Sequence, residues 1–187
     1  MKVIETPLQG LLIIEPSVFN DERGYFFESY KFEKYFEAGI TSAFVQDNES
    51  KSVRGVVRGL HYQLNPHAQA KLVRVVQGVV FDVAVDLRQG SPTFGKWYGI
   101  ELNDKNKRQF LVPRGFAHGF AVLSETAIFT YKCDNAYNKE HERAINPYDP
   151  KLAINWQIPE NESIVSEKDR NAPGFDAAEM NFIYYRQ

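Results

Sequence analysis

Apolar residues along this chain recur mostly at every second position, the period of an extended strand and not of a helix. The clearest case spans 79–87. Val79, Phe81, Val83, Val85 and Leu87 form one wholly apolar face, and Val80, Asp82, Ala84 and Asp86 form a mixed one. Shorter runs of the same kind lie at 11–15, 26–29, 44–48, 56–62, 71–76, 97–102, 108–112, 117–123 and 127–132. Turn-forming residues separate them, among them Asp21-Glu22-Arg23-Gly24, Gln77-Gly78, Gln89-Gly90-Ser91-Pro92, Asn103-Asp104 and Pro113-Arg114-Gly115. Many short strands at regular spacing predict an all-β antiparallel sandwich or barrel.

Helix is expected only at the flanks. Phe32, Tyr35 and Phe36 stand at helical spacing within 31–38, and Gly39 is a suitable stop. Ser166-Glu-Lys-Asp opens like a capping box and predicts a short helix or turn around Lys168. Beyond Asn146-Pro147-Tyr148-Asp149-Pro150 the pattern becomes irregular. The reading is one domain over 1–187, with a core at about 6–173 and a tail, 147–187, that wraps the sheets.

Composition narrows the classes of function. With 187 residues, 43% apolar and 25% charged, the chain can bury a core without staples. Its formal charge of −2 gives no nucleic-acid footprint. A lone cysteine, Cys133, excludes a disulfide framework and leaves too few thiolates for a structural zinc. The apolar runs at 11–14 and 120–123 end after four residues, where a membrane span needs about 20, and the first residues lack an apolar signal core. The chain reads as cytoplasmic, with no membrane partner.

Four histidines can be weighed singly. His67 and His141 sit in polar, charged stretches and read as solvated loop residues. His61 lies in a strand run beside Gly59, which lets another backbone approach closely. His118 follows a tight turn in Pro113-Arg-Gly-Phe-Ala-His, and this Pro-x-Gly-x-x-His spacing resembles the second motif of the cupin superfamily, small jelly rolls with an internal ligand pocket. Metal-binding members carry His-x-His and a glutamate in their first motif. Here that place reads His61-Tyr62-Gln63, a poor donor set for a transition metal.

Longer strings are more specific. Asp21-Glu-Arg-Gly-Tyr-Phe-Phe-Glu-Ser, Phe44-Val-Gln-Asp-Asn, Val57-Arg-Gly-Leu-His-Tyr-Gln, Lys71-Leu-Val-Arg, Ser91-Pro-Thr-Phe-Gly, Arg114-Gly-Phe-Ala-His-Gly-Phe and Ser166-Glu-Lys-Asp resemble, in order and spacing, the dTDP-4-dehydrorhamnose 3,5-epimerase family. The resemblance implies a cupin-like jelly roll that forms homodimers, needs neither metal nor cofactor, and takes a dTDP-sugar as substrate. It implies inversion of two carbons flanking a ketone, each by proton removal, an enolate, and reprotonation from the opposite face.

Residue roles follow from the same resemblance. His61 matches the general base; an unperturbed imidazole has a pKa of about 6.5, so such a side chain is largely neutral at pH 7. Asp169 matches its carboxylate partner; alone it reads as a helix-start aspartate. Tyr131 matches the acid on the other face, and Lys71 the cation beside the enolate oxygen; alone they read as a strand aromatic and a snorkelling lysine. His118 matches a pocket residue. Arg23, Arg58 and Lys168 match contacts to the nucleotide sugar, where clustered charge and not net charge holds a diphosphate. Glu28, Gln46, Asp47, Asn48 and Glu142 match polar lining positions, and Tyr137 an aromatic that stacks on thymine. Asp82 and Asp86 share a face, so one of them is a candidate to orient a histidine. The competing readings are a single-position epimerase or ketoisomerase on a related sugar, a metal-dependent cupin, and a non-catalytic sugar-binding jelly roll.

Overall fold

The strand with two unlike faces lies where both are used. In the computed structural model, which describes residues 1–185, fourteen strands occur: β1 (Lys2–Glu5), β2 (Leu12–Glu15), β3 (Phe19–Asp21), β4 (Gly24–Phe26), β5 (Gln46–Val53), β6 (Val56–Gln63), β7 (Lys71–Gln77), β8 (Val79–Asp86), β9 (Trp97–Asn103), β10 (Gln109–Val112), β11 (Phe116–Val122), β12 (Thr126–Cys133), β13 (Glu142–Ala144) and β14 (Ile164–Val165). One sheet runs β1-β2-β10-β7-β12-β5 and the other β13-β6-β11-β8-β9, with β14 also pairing with β6; the hairpin β3–β4 stands apart. All pairings are antiparallel except β14 with β6. The two sheets pack face to face without closing, so the jelly roll is a sandwich and not a sealed barrel.

Three apolar clusters make four layers. Between the sheets, Val73, Val75, Phe110 and Phe129 from the first meet Val80, Ala84, Phe120 and Val122 from the second. The outer face of the second sheet carries Phe81, Val83, Val85 and Leu87, covered by Leu152, Ile154, Trp156, Phe175 and Phe182 of the tail. The wholly apolar face of β8 therefore lies under the tail, and its mixed face looks between the sheets. On the outer face of the first sheet, Ile14, Leu72 and Leu111 pack on Tyr35 and Ile40 from the helix α1 (Phe32–Glu37) and the chain just after it. Of the three aromatics at helical spacing only Tyr35 is buried; Phe32 and Phe36 face outward. A second short helix, α2 (Glu167–Arg170), opens as the capping pattern predicts, the Ser166 hydroxyl accepting from the Asp169 backbone N–H.

Two strand expectations shift. The run at 26–29 is a strand only to Phe26, because the chain then turns to pack Tyr30 against Tyr35 and Phe44. The run at 44–48 begins at Gln46 and continues to Val53 through six polar residues. Of the tail expected at 147–187, residues 186 and 187 lie outside the described residues.

Trp156 is the anchor of the tail: fully buried, with its indole N–H donating to the Pro147 carbonyl at 2.8 Å. Trp156→Ala is expected to lower the unfolding free energy by about 3–5 kcal/mol in urea titrations, the range for a buried aromatic truncated to alanine. A loss under about 1 kcal/mol would show that the tail does not hold the second sheet.

Candidate active site

A pocket between the sheets needs polar side chains pointing inward from strands that otherwise bury apolar ones. On β6 the chain achieves this with an irregularity. His118 of β11 pairs with His61 and Phe120 with Arg58, so one residue on β11, Gly119, opposes two on β6, Gly59 and Leu60. The extra residue reverses the alternation, and Arg58 and His61, three apart in sequence, both face inward. Gly59 permits it: its φ is +127°, and a Cβ there would lie 2.6 Å from the Gly119 Cα.

Two adjoining cavities, of about 110 and 230 Å3, share His61, Lys71 and Tyr131. His61 comes from the second sheet, Lys71 and Tyr131 from the first, so an imidazole and a phenol stand on facing walls. The smaller cavity adds Gln46, Asn48, Tyr137 and Glu142, and the larger adds Arg58 and His118. Phe120 stacks on Phe129 at 4.2 Å between ring centroids beneath the larger one.

Asp169 stands behind His61, its Oδ1 2.6 Å from His61 Nε2, although 108 residues separate them. Burial alone would raise this carboxyl, yet hydrogen bonding from His61 and the Gly59 N–H holds it below the ordinary aspartate value. An ionised Asp169 accepts, so the hydrogen sits on Nε2 and Nδ1 is left as the basic nitrogen of His61. A second pair lies deeper: His118 Nε2 to Asp82 Oδ1 at 2.8 Å, both buried. Of the two aspartates on the mixed face of β8, Asp82 orients a histidine. Asp86 instead binds Arg88, Ser91 and Thr93 in the adjoining turn. Burial outweighs the His118 and Lys71 charges and pushes Asp82 up, and its Oδ2 is a buried oxygen without a partner among the described residues.

Lys71 is pushed below the ordinary lysine value by burial, which its neighbours Cys133, Asp82 and Glu142 only partly offset. Its ammonium lies 5.8 Å from the Tyr131 ring centroid. Burial, then the neighbouring Cys133 and Glu142, pushes the Tyr131 phenol up, so it holds its proton at neutral pH. Cys133, beside them, is a buried thiol pushed up to about 11 and therefore protonated.

At the mouth, Glu142 accepts from Lys168 Nζ at 2.6 Å and from the Tyr137 hydroxyl at 3.1 Å. Lys168 thus reaches the pocket rim through Glu142. Arg58 donates to the Ser52 hydroxyl at 3.0 Å, a contact hidden in the polar run of β5. The signal was there: Gln46, Asn48, Ser50 and Ser52 alternate with outward Asp47, Glu49 and Lys51.

Three of the expected residues are not brought to this pocket within one chain. Arg23 pairs with Asp21 on the exposed β3–β4 hairpin, and Glu28 pairs with Lys34 at 2.8 Å. The side chain of Asp47 points to the opposite face of its sheet, 2.6 Å from Lys132 Nζ. Among the described residues no three His, Cys, Asp or Glu side chains gather as a metal site, and no helix is long and apolar enough to cross a membrane.

Comparison with known proteins points to one family. The sequence profile of a family described as dTDP-4-dehydrorhamnose 3,5-epimerase matches residues 5–177. A dTDP-4-dehydrorhamnose 3,5-epimerase of Shigella flexneri is 54% identical, covering 94% of this chain and 96% of its own. The crystal structure of the Elizabethkingia anophelis NUHP1 enzyme of that name superposes with a TM-score of 0.90 at 61% identity, over 94% of this chain and 97% of that one. That of dTDP-6-deoxy-D-glucose-3,5-epimerase from Legionella pneumophila Philadelphia 1, in complex with dTDP-4-keto-L-rhamnose, superposes with a TM-score of 0.94 at 49% identity, over 99% of both chains.

Proposed function

The chain belongs to the dTDP-4-dehydrorhamnose 3,5-epimerase family, and we propose that His61, Tyr131 and Lys71 divide its chemistry among them. It is an isomerase of dTDP-rhamnose biosynthesis that inverts C3 and C5 of dTDP-4-dehydro-6-deoxy-D-glucose to give dTDP-4-dehydro-L-rhamnose. Both carbons lie beside the C4 ketone, so loss of either proton gives an enolate whose charge rests on one oxygen. One base, one cation and one opposing acid therefore serve both inversions.

The observation that carries the assignment is the pairing of His61 with an ionised Asp169 on one wall and a protonated Tyr131 on the other. His61 Nδ1 takes the proton from carbon, and Asp169 stabilises the imidazolium that forms. Lys71 lies nearest the developing oxyanion, in a partly dry site where its charge counts for more than in water. Tyr131 returns a proton to the other face. His118, held by Asp82, is a further donor to the sugar. Arg58 and Lys168 meet the diphosphate, Gln46, Asn48 and Glu142 line its path, and Tyr137 stacks on the thymine. The reaction needs no metal or other cofactor, since ketone, base and acid supply every step.

The enzyme works as a homodimer in this reading. Phe19, Tyr25 and Phe26 on the β3–β4 hairpin are 66%, 56% and 70% exposed, a large apolar area for a free surface. A partner chain covering it would bring Arg23 and Glu28 to the pocket of the other subunit. The protein is read as cytoplasmic, where the nucleotide sugar is made.

In heavy water with dTDP-4-keto-6-deoxyglucose, NMR is expected to show solvent deuterium at both C3 and C5 of the product. His61→Ala should slow that uptake by about 10²–10⁴-fold, the contribution of a positioned general base. Label at one carbon only would reduce the activity to a single-position epimerase, and undiminished uptake in His61→Ala would remove His61 as the base.

The alkaline side of the rate profile tests Lys71. Its ammonium titrates below the ordinary lysine value whereas Tyr131 titrates above the ordinary tyrosine value. The expected outcome is that loss of the cation, the group that burial shifts toward its neutral form, limits kcat as pH rises. Lys71→Arg, which stays charged, is expected to carry the alkaline limb to higher pH. A limb that stays in place in Lys71→Arg, and moves in Tyr131→Phe, would assign it to the phenol instead.

A further inference from the structure

We infer that Gln63 is a positioning residue for nucleotide binding, acting through Tyr137; the inference rests on the reading of Tyr137 as the residue that stacks on the base. The segment between β12 and β13 has no strand or helix of its own, so its backbone groups need other partners. Two glutamines from opposite sheets supply them. Gln46, on β5, accepts the Tyr137 N–H at 3.0 Å, and Gln63, on β6, accepts the Asn138 N–H at 2.7 Å. The Gln63 amide also donates to the Ala136 carbonyl at 3.3 Å and to the His67 carbonyl at 2.6 Å.

These bonds hold both peptide planes that flank the Tyr137 Cα. The plane before it is fixed at its carbonyl by Gln63 and at its N–H by Gln46. The plane after it is fixed at its N–H by Gln63. With both planes held, the backbone dihedrals of Tyr137 are set, and its half-exposed ring is aimed across the mouth with the hydroxyl on Glu142. Gln63 is itself buried and opposes Glu142 in the β13–β6 register, so the glutamine cannot move without disturbing that strand pair. Only an amide fits: the site asks for two donors and one acceptor on one side chain. A position that reads as a failed metal ligand is filled by a residue chosen for its three hydrogen bonds to loops.

Holding a ring in its bound orientation before the ligand arrives lowers the ordering cost of binding. The test is a double-mutant cycle read by isothermal titration with dTDP, together with steady-state kinetics on the keto sugar. Gln63→Met, close in length and without the amide, is expected to weaken dTDP binding about tenfold, the scale of one or two lost buried hydrogen bonds. KM should rise in step while kcat stays within threefold, and in a Tyr137→Ala background the same substitution should change dTDP affinity less than twofold. Gln63→Asn keeps the amide but shortens its reach by one methylene; it should give a smaller loss with the same dependence on Tyr137, and it serves where the methionine variant does not fold. Equal losses with and without Tyr137, a fall in kcat at unchanged affinity, or no loss at all would each overturn the inference. If Tyr137→Ala alone leaves dTDP affinity unchanged, the stacking role itself fails and this inference falls with it. Additive losses would leave the stacking role standing and remove only the role of Gln63.

Discussion

A carboxylate that must stay charged while buried governs this architecture. Asp169 is carried by the tail with 5% of its side chain exposed, and its ionised form survives there because His61 and the Gly59 N–H bond to it. Burying an unpaired carboxylate would cost far more than the surrounding apolar contacts return. The dyad therefore requires that the tail come back across the second sheet, that Ser166 start α2 at the right residue, and that Gly59 present its backbone to the carboxylate. Its folded-state pKa lies below the ordinary value, so the contribution to stability is present above that value and is lost as pH falls through the folded one.

The second dyad has the opposite electrostatics. Asp82 is pushed up by burial where Asp169 is held down, although each meets a histidine at under 3 Å. Asp169 has a second donor in a backbone N–H, while one oxygen of Asp82 has none. A carboxylate held low supports a neighbouring imidazolium; one pushed up supports it less. In the proposed mechanism the same pair of residue types thus suits His61 to proton abstraction and His118 to a hydrogen bond, and the difference lies in two or three neighbours and not in the pair.

Much of this was legible in the sequence wherever one face of a strand is apolar. The β8 alternation gave both a covered face and a mixed one, and it named Asp82 and Asp86 as candidates. The motif strings held His61, Lys71 and His118 of the pocket, and Ser166-Glu-Lys-Asp marked α2. Where a strand lines a polar cavity on one side and water on the other, period two carries no hydrophobic signal, and β5 was foreseen only at its start. The facing of His61 and Arg58 could not be read from alternation either, because one extra residue at the bulge inverts it. For Arg23 and Glu28 the obstacle is different in kind: a motif string records order along the chain, not which side chains meet, and these two pair with Asp21 and Lys34 away from the pocket.

The pocket is polar at the centre of a sandwich, and that arrangement is unfavourable taken by itself. Lys71, Tyr131, His118 and Asp82 all displace apolar contact from the space between two sheets, and Lys71 and Asp82 are both shifted toward their neutral forms by burial. The apolar clusters on the two outer faces offset this. Trp156, Phe175 and Leu152 back the strands that carry His61 and His118, and Tyr35, Leu72 and Ile14 back the sheet that carries Lys71 and Tyr131. Most sandwiches bury one interface and leave their outer faces to water. This one buries three, so the middle interface is free to hold groups that favour chemistry over stability. The tail and the α1 segment are therefore part of the active site in an energetic sense: they contribute the burial that lets the inner walls stay polar, and the tail also delivers Asp169.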